Sequence, residues 1–333
     1  MTNSNYLVSI IVPCYKVGPY VEQCIRSLMQ QSYDRIEIIP VDDGSPDDTP
    51  QILDRLAAED SRIKVVHKQN AGVSAARNSG LDIATGDYVV FVDGDDYLAA
   101  DYVDYMLSLA AKDNADFVLT KNWFTRESQP QVTVDHVQTI TPAEATALLI
   151  SLRVIVGSHN KMYRKRFLDD KGLRFSTTLF YGEGLNFIIK AAQLANCVTT
   201  GERMVYYYRR NNESSATTKY NIQKYYNGEK SLNRIEEELL LRTDDIMLMM
   251  GLHKSVFCLG ALSQTYAHHL QHQHKDDCAH WRDVIKKHLP MLIRSPKVSL
   301  YRKAMLVGGL LFPGIISSLD MWRRRRIAKN SVK

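Results

Sequence analysis

The sequence predicts an α/β protein in which a mostly parallel sheet is flanked by helices and followed by a helical C-terminal region. Short apolar segments rich in β-branched residues alternate with segments of helical periodicity over residues 7–95, which is the pattern of repeated βαβ units. Polar clusters stand where the apolar segments end, and from about residue 220 the periodicity is helical throughout.

The first apolar segment, residues 7–12, stops at Pro13 and is typical of a central parallel strand buried on both faces. Thr141, Pro142 and Glu144 form a capping-box pattern with Pro at the first helical position, so we expect a helix to begin there. The same reasoning predicts further strands at 36–41, 63–67, 88–92, 117–120 and 205–210, helices at 20–31, 49–59, 70–80, 102–112 and 185–196, a basic turn after 159–164, and a polar loop at 211–215.

The charge of the chain is unevenly distributed. The 333 residues carry a net charge of +5, but residues 294–333 contain ten Lys or Arg and one acidic residue, Asp320. The rest of the chain is slightly acidic, which excludes a basic nucleic-acid-binding surface there.

The five cysteines are odd in number and lack metal-ligand spacing, which favours a reduced, cytosolic compartment. The N-terminus has no positive segment and no cleavage site of a signal peptide.

A cluster of carboxylates follows the buried strand 88–92. Asp93, Asp95 and Asp96 would repel one another unless a cation or a proton lay between them. Hard carboxylate oxygens suit Mg²⁺ or Mn²⁺, and Gly94 keeps the turn open to a ligand. The alternative is a solvated acidic loop. The position after a buried strand favours a metal held by Asp93 and Asp95 against a diphosphate.

Two other strand ends meet the same edge of the predicted sheet, where ligands of parallel α/β proteins bind. Tyr15 offers a stacking face for a base, or is a half-buried loop aromatic. Asp42 could accept a hydrogen bond from a base, or cap the next helix. Because Asp47, Asp48 and Thr49 can supply that cap, we expect Asp42 to be free for a ligand.

Three further positions allow both a functional and a structural interpretation. Arg77, among small residues, could face a diphosphate or form a surface ion pair. Glu183, at a helix start, could be a general base or a stabilising first-turn charge. His159 and Lys161 could support the site or face solvent.

These residues together resemble the family-2 glycosyltransferases of the GT-A (Rossmann-like) fold, over roughly residues 6–215. Residues 9–49, with VDDGS, resemble the nucleotide-binding half of that family, and residues 70–96 resemble its continuation into the DxD motif, here DGD. The closest subgroup is bacterial and makes capsular, exopolysaccharide, teichoic-acid-like or other surface glycans.

The resemblance implies an inverting transfer of a hexosyl or N-acetylhexosaminyl group from a UDP-sugar to the hydroxyl of a glycan or lipid-linked glycan, with Mn²⁺ or Mg²⁺. A nucleotidyltransferase is disfavoured because no Gly-rich triphosphate loop follows the first strand. The resemblance also assigns roles by position. Pro13 and Tyr15 would line the base pocket, Asp42 would bind uracil, and Asn70 and Arg77 would lie near the uridine and phosphates. Asp93 and Gly94 would lie at the ribose or the metal shell, and Asp95 would ligate the metal.

The catalytic base of the family is a carboxylate in a Glu-Asp pair at a helix start. The pair here is Glu183 and Gly184, so Glu183 is the candidate base and the usual Asp is missing. This departure supports an alternative function, a catalytically impaired UDP-sugar-binding protein that acts as the partner of another transferase.

The predicted organisation is a catalytic domain at 1–219, a helical region at 220–300 and a membrane-associating tail at 301–333. In the tail, a mostly apolar run at 304–319 precedes Trp322 and four arginines, which is typical of an interfacial segment on an anionic leaflet. We therefore expect a cytoplasmic protein on the inner face of the membrane. The alternative for the tail is a core helix pair whose arginines contact a partner or an anionic acceptor. The sequence does not distinguish a monomer from a homo-oligomer.

Overall fold

The computed structural model describes residues 5–209 and 221–331, with side chains as far as Arg323. The strands are β1 (Val8–Cys14), β2 (Ile36–Asp42), β3 (Val66–His67), β4 (Tyr88–Phe91), β5 (Tyr97–Leu98), β6 (Phe117–Thr120), β7 (Gln138–Ile140), β8 (Lys161–Arg164), β9 (Val198–Gly201) and β10 (Tyr206–Tyr207). The helices are α1 (Gly18–Met29), α2 (Thr49–Glu59), α3 (Val73–Ile83), α4 (Tyr102–Lys112), α5 (Pro142–Ile150), α6 (Lys165–Asp170), α7 (Glu183–Leu194), α8 (Ile222–Glu237), α9 (Asp244–Ala267), α10 (Lys275–Arg294), α11 (Leu300–Leu311) and α12 (Pro313–Ser331).

The central sheet confirms the predicted fold class. Within the described residues it has eight strands in the order β3-β2-β1-β4-β8-β6-β9-β7. The first four strands are parallel to one another, as repeated βαβ units require. Strand β8 runs antiparallel to both β4 and β6, and β9 is parallel to β6. Strands β5 and β10 form a separate two-stranded sheet.

Strand β1 is buried on both faces, which explains its unbroken apolar run. Val8, Ile10 and Val12 belong to the core formed with α1 and α2, while Ile11 belongs to the core on the other face of the sheet. Because successive side chains of a strand point to opposite faces, both sets must be apolar in a central strand. The same burial pattern holds for β2 and β4.

Four strands were not predicted from the sequence: β5, β7, β8 and β9. Residues 161–164, which were expected to lead into a basic turn, form β8 at the centre of the sheet. Lys161 is buried there because its ammonium donates to the carbonyls of Ile155 and His159, so a charged residue occupies a core strand. Strand β9 was missed because its Val-Thr-Thr-Gly sequence has no apolar run. Strand β3 is shorter than predicted, with Ile63 forming only a bridge to Ile38.

The C-terminal region is helical in the described residues, as predicted. Its helices share one apolar core with α5 and α7 of the α/β part. Helix α9 is long and apolar enough to cross a membrane by length and composition, but 72% of its most apolar window is buried inside the protein, as in a core helix. The apolar run 304–319 divides between α11 and α12, with the break at Phe312 before Pro313.

The division at 1–219, 220–300 and 301–333 stays a prediction. Its first boundary and the predicted loop at 211–215 lie outside the described residues, as do the side chains of the arginines after Arg323.

Candidate functional site

Three strand ends meet at one edge of the sheet, as the sequence predicted. Cys14 ends β1 beside Asp42 of β2, and β4 pairs with β1 so that Asp93 follows on its other side. A Cβ on Gly94 would lie 3.2 Å from the carbonyl oxygen of Pro13. A larger residue would therefore push the acidic turn away from β1, and glycine allows the two strand ends to approach closely.

Arg77 is the central cation of the site. It lies on α3, is only 4% exposed, and donates from Nη2 to Oδ1 of Asp93 at 2.8 Å and from Nη1 to Oε1 of Glu183 at 3.0 Å. Its guanidinium also lies over the ring of Phe175. Burial would lower the pKa of Arg77, but the two carboxylates outweigh it and raise the pKa. The surface ion pair considered as an alternative is therefore wrong, because this ion pair is buried.

His159 lies on the other side of Asp93. Its Nδ1 is 3.0 Å from Oδ2 of Asp93, and its ring stacks on Tyr206 and Tyr208. Burial would raise the pKa of Asp93, but the charges of Arg77 and His159 outweigh that effect and hold the pKa well below its usual range. Both oxygens of Asp93 therefore have side-chain partners within the protein, Arg77 at Oδ1 and His159 at Oδ2.

Asp96 is the carboxyl group of the cluster whose pKa is raised. It is buried, and its oxygens accept from the Tyr206 hydroxyl at 2.7 Å and from the backbone N–H of Arg209 at 2.8 Å. Burial, followed by the charges of Asp93 and Asp95, raises the pKa of Asp96 to about 8. The pKa of Asp93 is thus lowered by its partners, whereas the pKa of Asp96 is raised by burial and by its acidic neighbours.

Asp95 is half-buried between these two carboxyl groups. Its backbone carbonyl accepts from Nε of Arg209 at 2.7 Å, which holds the acidic turn. The described residues contain no group of three or more His, Cys, Asp or Glu arranged to hold a metal ion. Mg²⁺ commonly takes only one or two carboxylates from the protein and the rest from substrate phosphates and water. The residues present therefore fit such an ion, with Asp95 and Asp93 as the candidate ligands.

Asp42 differs from its prediction, since it is not free of local partners. Its Oδ1 accepts from the N–H of Ser45 at 2.9 Å, and its Oδ2 lies 3.1 Å from Nδ1 of His67. Asp47 does accept from the N–H of Thr49, as expected. An ionised carboxylate has about four acceptor positions. Asp42 therefore retains capacity for a ligand, and its binding of uracil stays a prediction.

The neighbouring Asp43 was not predicted, and it shapes the loop before α3. It is buried and accepts from the backbone N–H groups of Ala71 and Gly72 and from the ammonium of Lys68. Asn70 is exposed and donates to the carbonyl of Asp43 at 2.9 Å. Asp43 thus helps to position Asn70, whose predicted place near the uridine and phosphates stays a prediction.

Tyr15 is 45% exposed at the mouth of the site, just beyond the buried Pro13 and Cys14. The ammonium of Lys16 lies 5.2 Å from the centre of the Tyr15 ring. One face of an exposed ring at a strand end is available for stacking, although the contact of Tyr15 with a base stays a prediction.

Glu183 begins α7, immediately after Gly182, which has a φ of +83°. Its carboxylate reaches Arg77, so it belongs to the same network as Asp93. Gly184 is buried, and a Cβ there would lie 3.3 Å from the backbone nitrogen of Ser158. A side chain at position 184 would therefore point towards the loop that carries His159.

Several buried polar atoms around this network have no hydrogen-bond partner within the described part of the chain. They are Oγ of Ser74, Nε of Arg77, Oγ of Ser158 and Oδ1 of Asn160. Such atoms are rare in folded proteins and are common where a ligand or ordered water completes the network. Their grouping beside Asp93 supports this edge of the sheet as the binding site.

His159 was named from the sequence as a residue that could support the site, whereas Tyr206 and Arg209 are the site residues that sequence reasoning did not identify. Each is distant from Asp93 along the chain, and the only sequence signal was the unusual run of tyrosines before Arg209. The expectation that His159 and Lys161 face solvent is excluded, since both are buried.

Comparison with known proteins agrees with this geometry. Residues 9–172 match the family described as glycosyl transferase family 2. The chain is 34% identical over 206 residues to the uncharacterized glycosyltransferase EpsJ of Bacillus subtilis, and the match covers 60% of each chain. It is 39% identical over 121 residues to the putative teichuronic acid biosynthesis glycosyltransferase TuaG of the same organism, covering 36% of this chain and 48% of TuaG. The chain thus spans about half to three fifths of these relatives.

A solved structure shows the same fold over nearly the whole chain. Residues 1–349 of TarS from S. aureus, crystallised in complex with UDP-GlcNAc, match with a TM-score of 0.70 at 19% identity, over 96% of this chain and 92% of that one. The resemblance extends to the C-terminal helices, which lie outside the family match. The strand ends, the acidic turn and the family match lead to one conclusion: residues 9–172 of this chain form a domain of glycosyl transferase family 2 with the GT-A fold.

Proposed function

We propose that this chain is an inverting glycosyltransferase that moves a hexosyl or N-acetylhexosaminyl group from a UDP-sugar to an acceptor hydroxyl of a bacterial surface glycan. The observation that carries the proposal is the ion-paired network of Arg77, Asp93 and Glu183 at the ligand-binding edge of the sheet. The UDP-GlcNAc complex of TarS supports the donor class, and the name of TuaG supports a surface-glycan product, as in capsule, exopolysaccharide or teichoic-acid-like polymers.

In this mechanism the donor lies across the three strand ends. Tyr15 and Pro13 form one wall for the uracil ring, Asp42 accepts from its N–H, and Asn70 lies at the uridine. Arg77 and His159 keep Asp93 ionised and hold its oxygens in place. A divalent cation, Mn²⁺ or Mg²⁺, would be held by Asp95 with Asp93 beside it, and when bound it would offset the charge on the UDP leaving group.

Glu183 is the proposed proton acceptor. As the acceptor oxygen attacks the anomeric carbon, the C–O bond to UDP breaks, the hydroxyl proton passes to the Glu183 carboxylate, and the sugar is inverted. Arg77 fixes the position of that carboxylate through Oε1. The start of α7 therefore supplies the base from the side opposite the acidic turn.

The test is UDP release by the purified chain with Mn²⁺ and a panel of UDP-glucose, UDP-galactose and their N-acetyl forms. Asp95→Asn should reduce turnover at least a hundredfold, and Glu183→Gln should do so while leaving UDP binding intact. Asp82→Asn is a matched control, because Asp82 is an exposed carboxylate on α3. Full activity of Asp95→Asn would remove the metal assignment, and full activity of Glu183→Gln would remove Glu183 as the base.

Gly184 favours a second candidate, a UDP-sugar-binding protein that has lost catalysis and assists another transferase. In that case calorimetry shows UDP binding, but no donor turns over, and Gly184→Asp creates activity. A Cβ at position 184 meets only the Gly157–Ser158 backbone, at 3.3 Å or more, so a small shift accommodates the substitution. Under the main proposal the unsubstituted chain already transfers sugar from its donor, and Gly184→Asp changes the rate of that transfer by less than about tenfold.

We also propose that the chain acts in the cytoplasm at the inner face of the membrane, on a glycan or lipid-linked glycan. All five cysteines are free thiols, as a reducing compartment maintains them. Faster UDP release when a lipid-linked acceptor is added to the donor would support such an acceptor, and an unchanged rate would contradict it.

A further inference from the structure

The α11–α12 hairpin exposes an unusual group of apolar side chains. We define the hairpin face by Leu300, Leu311, Phe312, Ile315, Leu319 and Trp322, whose exposed fractions run from 51% to 82%. Single exposed apolar residues are normal on a protein surface, whereas a contiguous group marks a contact surface.

The spacing of these residues makes a stripe on each helix. Leu300 and Leu311 are eleven residues apart, three helical turns, and the exposed Ala304 lies between them on the same side of α11. Ile315, Leu319 and Trp322 follow one another at intervals of four and three on α12. Each helix therefore presents one apolar side to solvent.

The opposite sides of both helices pack on α9. Gly309 lies so close to it that a Cβ there would be 2.2 Å from Cδ1 of Leu259. The hydroxyl of Ser317 donates to the carbonyl of Ser263 on α9 at 2.6 Å. The two helices also contact each other, since a Cβ on Gly308 would lie 2.9 Å from Cδ1 of Ile316. They form one layer over α9, so both stripes point away from the protein body.

Lys303 and Arg323 lie towards the open end of the hairpin, away from the turn at Phe312. Nη1 of Arg323 donates to the hydroxyl of Tyr301 at 3.2 Å, which places the later part of α12 beside the start of α11. Lys303 lies in the first turns of α11, and residues 294–333 carry ten basic residues and a single acidic one. An apolar face bordered by positive charge has the chemistry of an interfacial membrane-binding segment.

We propose that the hairpin face docks on the surface of an anionic phospholipid bilayer. The apolar stripes would enter the boundary between headgroups and acyl chains, Trp322 would sit at the headgroup level, and the basic end would lie against the negative leaflet. A second copy of the chain is a poorer partner for the same face, because it would bring another set of positive charges rather than a negative surface. This inference does not depend on the proposed reaction.

The test is co-sedimentation of the full chain with vesicles of phosphatidylglycerol and phosphatidylcholine, compared with phosphatidylcholine alone. We expect at least tenfold stronger partition to the anionic vesicles, weakened by salt. The variant Ile315→Ser/Leu319→Ser/Trp322→Ser should lose that partition at least tenfold. The control Val134→Ser/Leu240→Ser removes two similarly exposed apolar residues elsewhere and should bind like the unsubstituted chain.

A second measurement keeps the proposal testable if the triple variant fails to fold. The chain has three tryptophans, and Trp281 is buried. Anionic vesicles should shift the fluorescence emission to shorter wavelengths, and Trp322→Phe should abolish the shift. The proposal is overturned if the unsubstituted chain does not bind the vesicles, if the triple variant binds equally well, or if Trp322→Phe keeps the shift. Light scattering that shows a dimer lost in the triple variant, without vesicle binding, would assign the face to a second copy.

Discussion

The guanidinium of Arg77 donates a 2.8 Å hydrogen bond to Oδ1 of Asp93 and thereby joins helix α3 to the end of strand β4. The same guanidinium reaches Glu183 at the start of α7. One buried cation thus sets the relative positions of the carboxylates proposed for donor binding and for proton transfer.

Replacing Arg77 with Met should destabilise the protein and abolish turnover. Two carboxylates would lose their buried partner, and breaking a buried ion pair in this way costs about 3–5 kcal/mol. Urea unfolding and UDP release measure the two effects. The control is Arg55→Met, which removes an exposed arginine paired with Glu22. A loss of stability no larger than that of the control would show that the Arg77 network does not hold the site together.

Replacing Tyr206 with Phe should destabilise the protein by about 1–3 kcal/mol, because the buried Asp96 loses the hydroxyl that donates to it. The control is Tyr207→Phe, since the adjacent ring of Tyr207 is held by stacking on Tyr97 and Phe124. Thermal or urea unfolding of both variants measures the difference, and equal losses would contradict a special role for the Tyr206 hydroxyl.

Replacing Tyr15 with Ala should weaken UDP binding about tenfold to a hundredfold, as expected for the loss of one base–aromatic stacking contact. Stability should hardly change because the ring is 45% exposed. Isothermal calorimetry with UDP measures the affinity. Tyr15→Phe keeps the ring and should bind UDP as well as the unsubstituted chain. If both variants bound alike, stacking on Tyr15 would be excluded.

Lys161 should give the protein a stability that rises with pH above neutrality. Burial lowers the pKa of Lys161 to about 7, well below the value of an unfolded lysine. Between these two pKa values the unfolded chain binds more protons than the folded one, so the free energy of unfolding increases with pH, by up to about 1.4 kcal/mol per pH unit.

The variant Lys161→Met should remove this rise, whatever its effect on stability at one pH. Urea unfolding at pH 7, 8 and 9 gives the slopes of the variant and of the unsubstituted chain. Lys171→Met, at an exposed position, should keep the original slope. A slope unchanged in Lys161→Met would mean that this lysine stays charged in the folded protein.

Much of the fold follows from local pattern. Strands β1, β2 and β4 were predictable because burial on both faces requires continuous apolar runs, and the capping box of α5 is present as predicted. Strand β8 was not predictable, because its buried Lys161 is tolerated only through hydrogen bonds to the carbonyls of Ile155 and His159, and no local sequence pattern announces these bonds.

The same distinction holds at the site. The sequence by itself determined where the carboxylates lie, because polar residues after parallel strands must gather at one edge of the sheet. It could not determine which carboxylate is ionised, paired or protonated. Arg77 is 16 residues from Asp93, Glu183 is 106 residues from Arg77, and Tyr206 is 110 residues from Asp96. Only the tertiary structure brings these groups into hydrogen-bonding distance and removes water from around them, and both conditions decide the charge of each group.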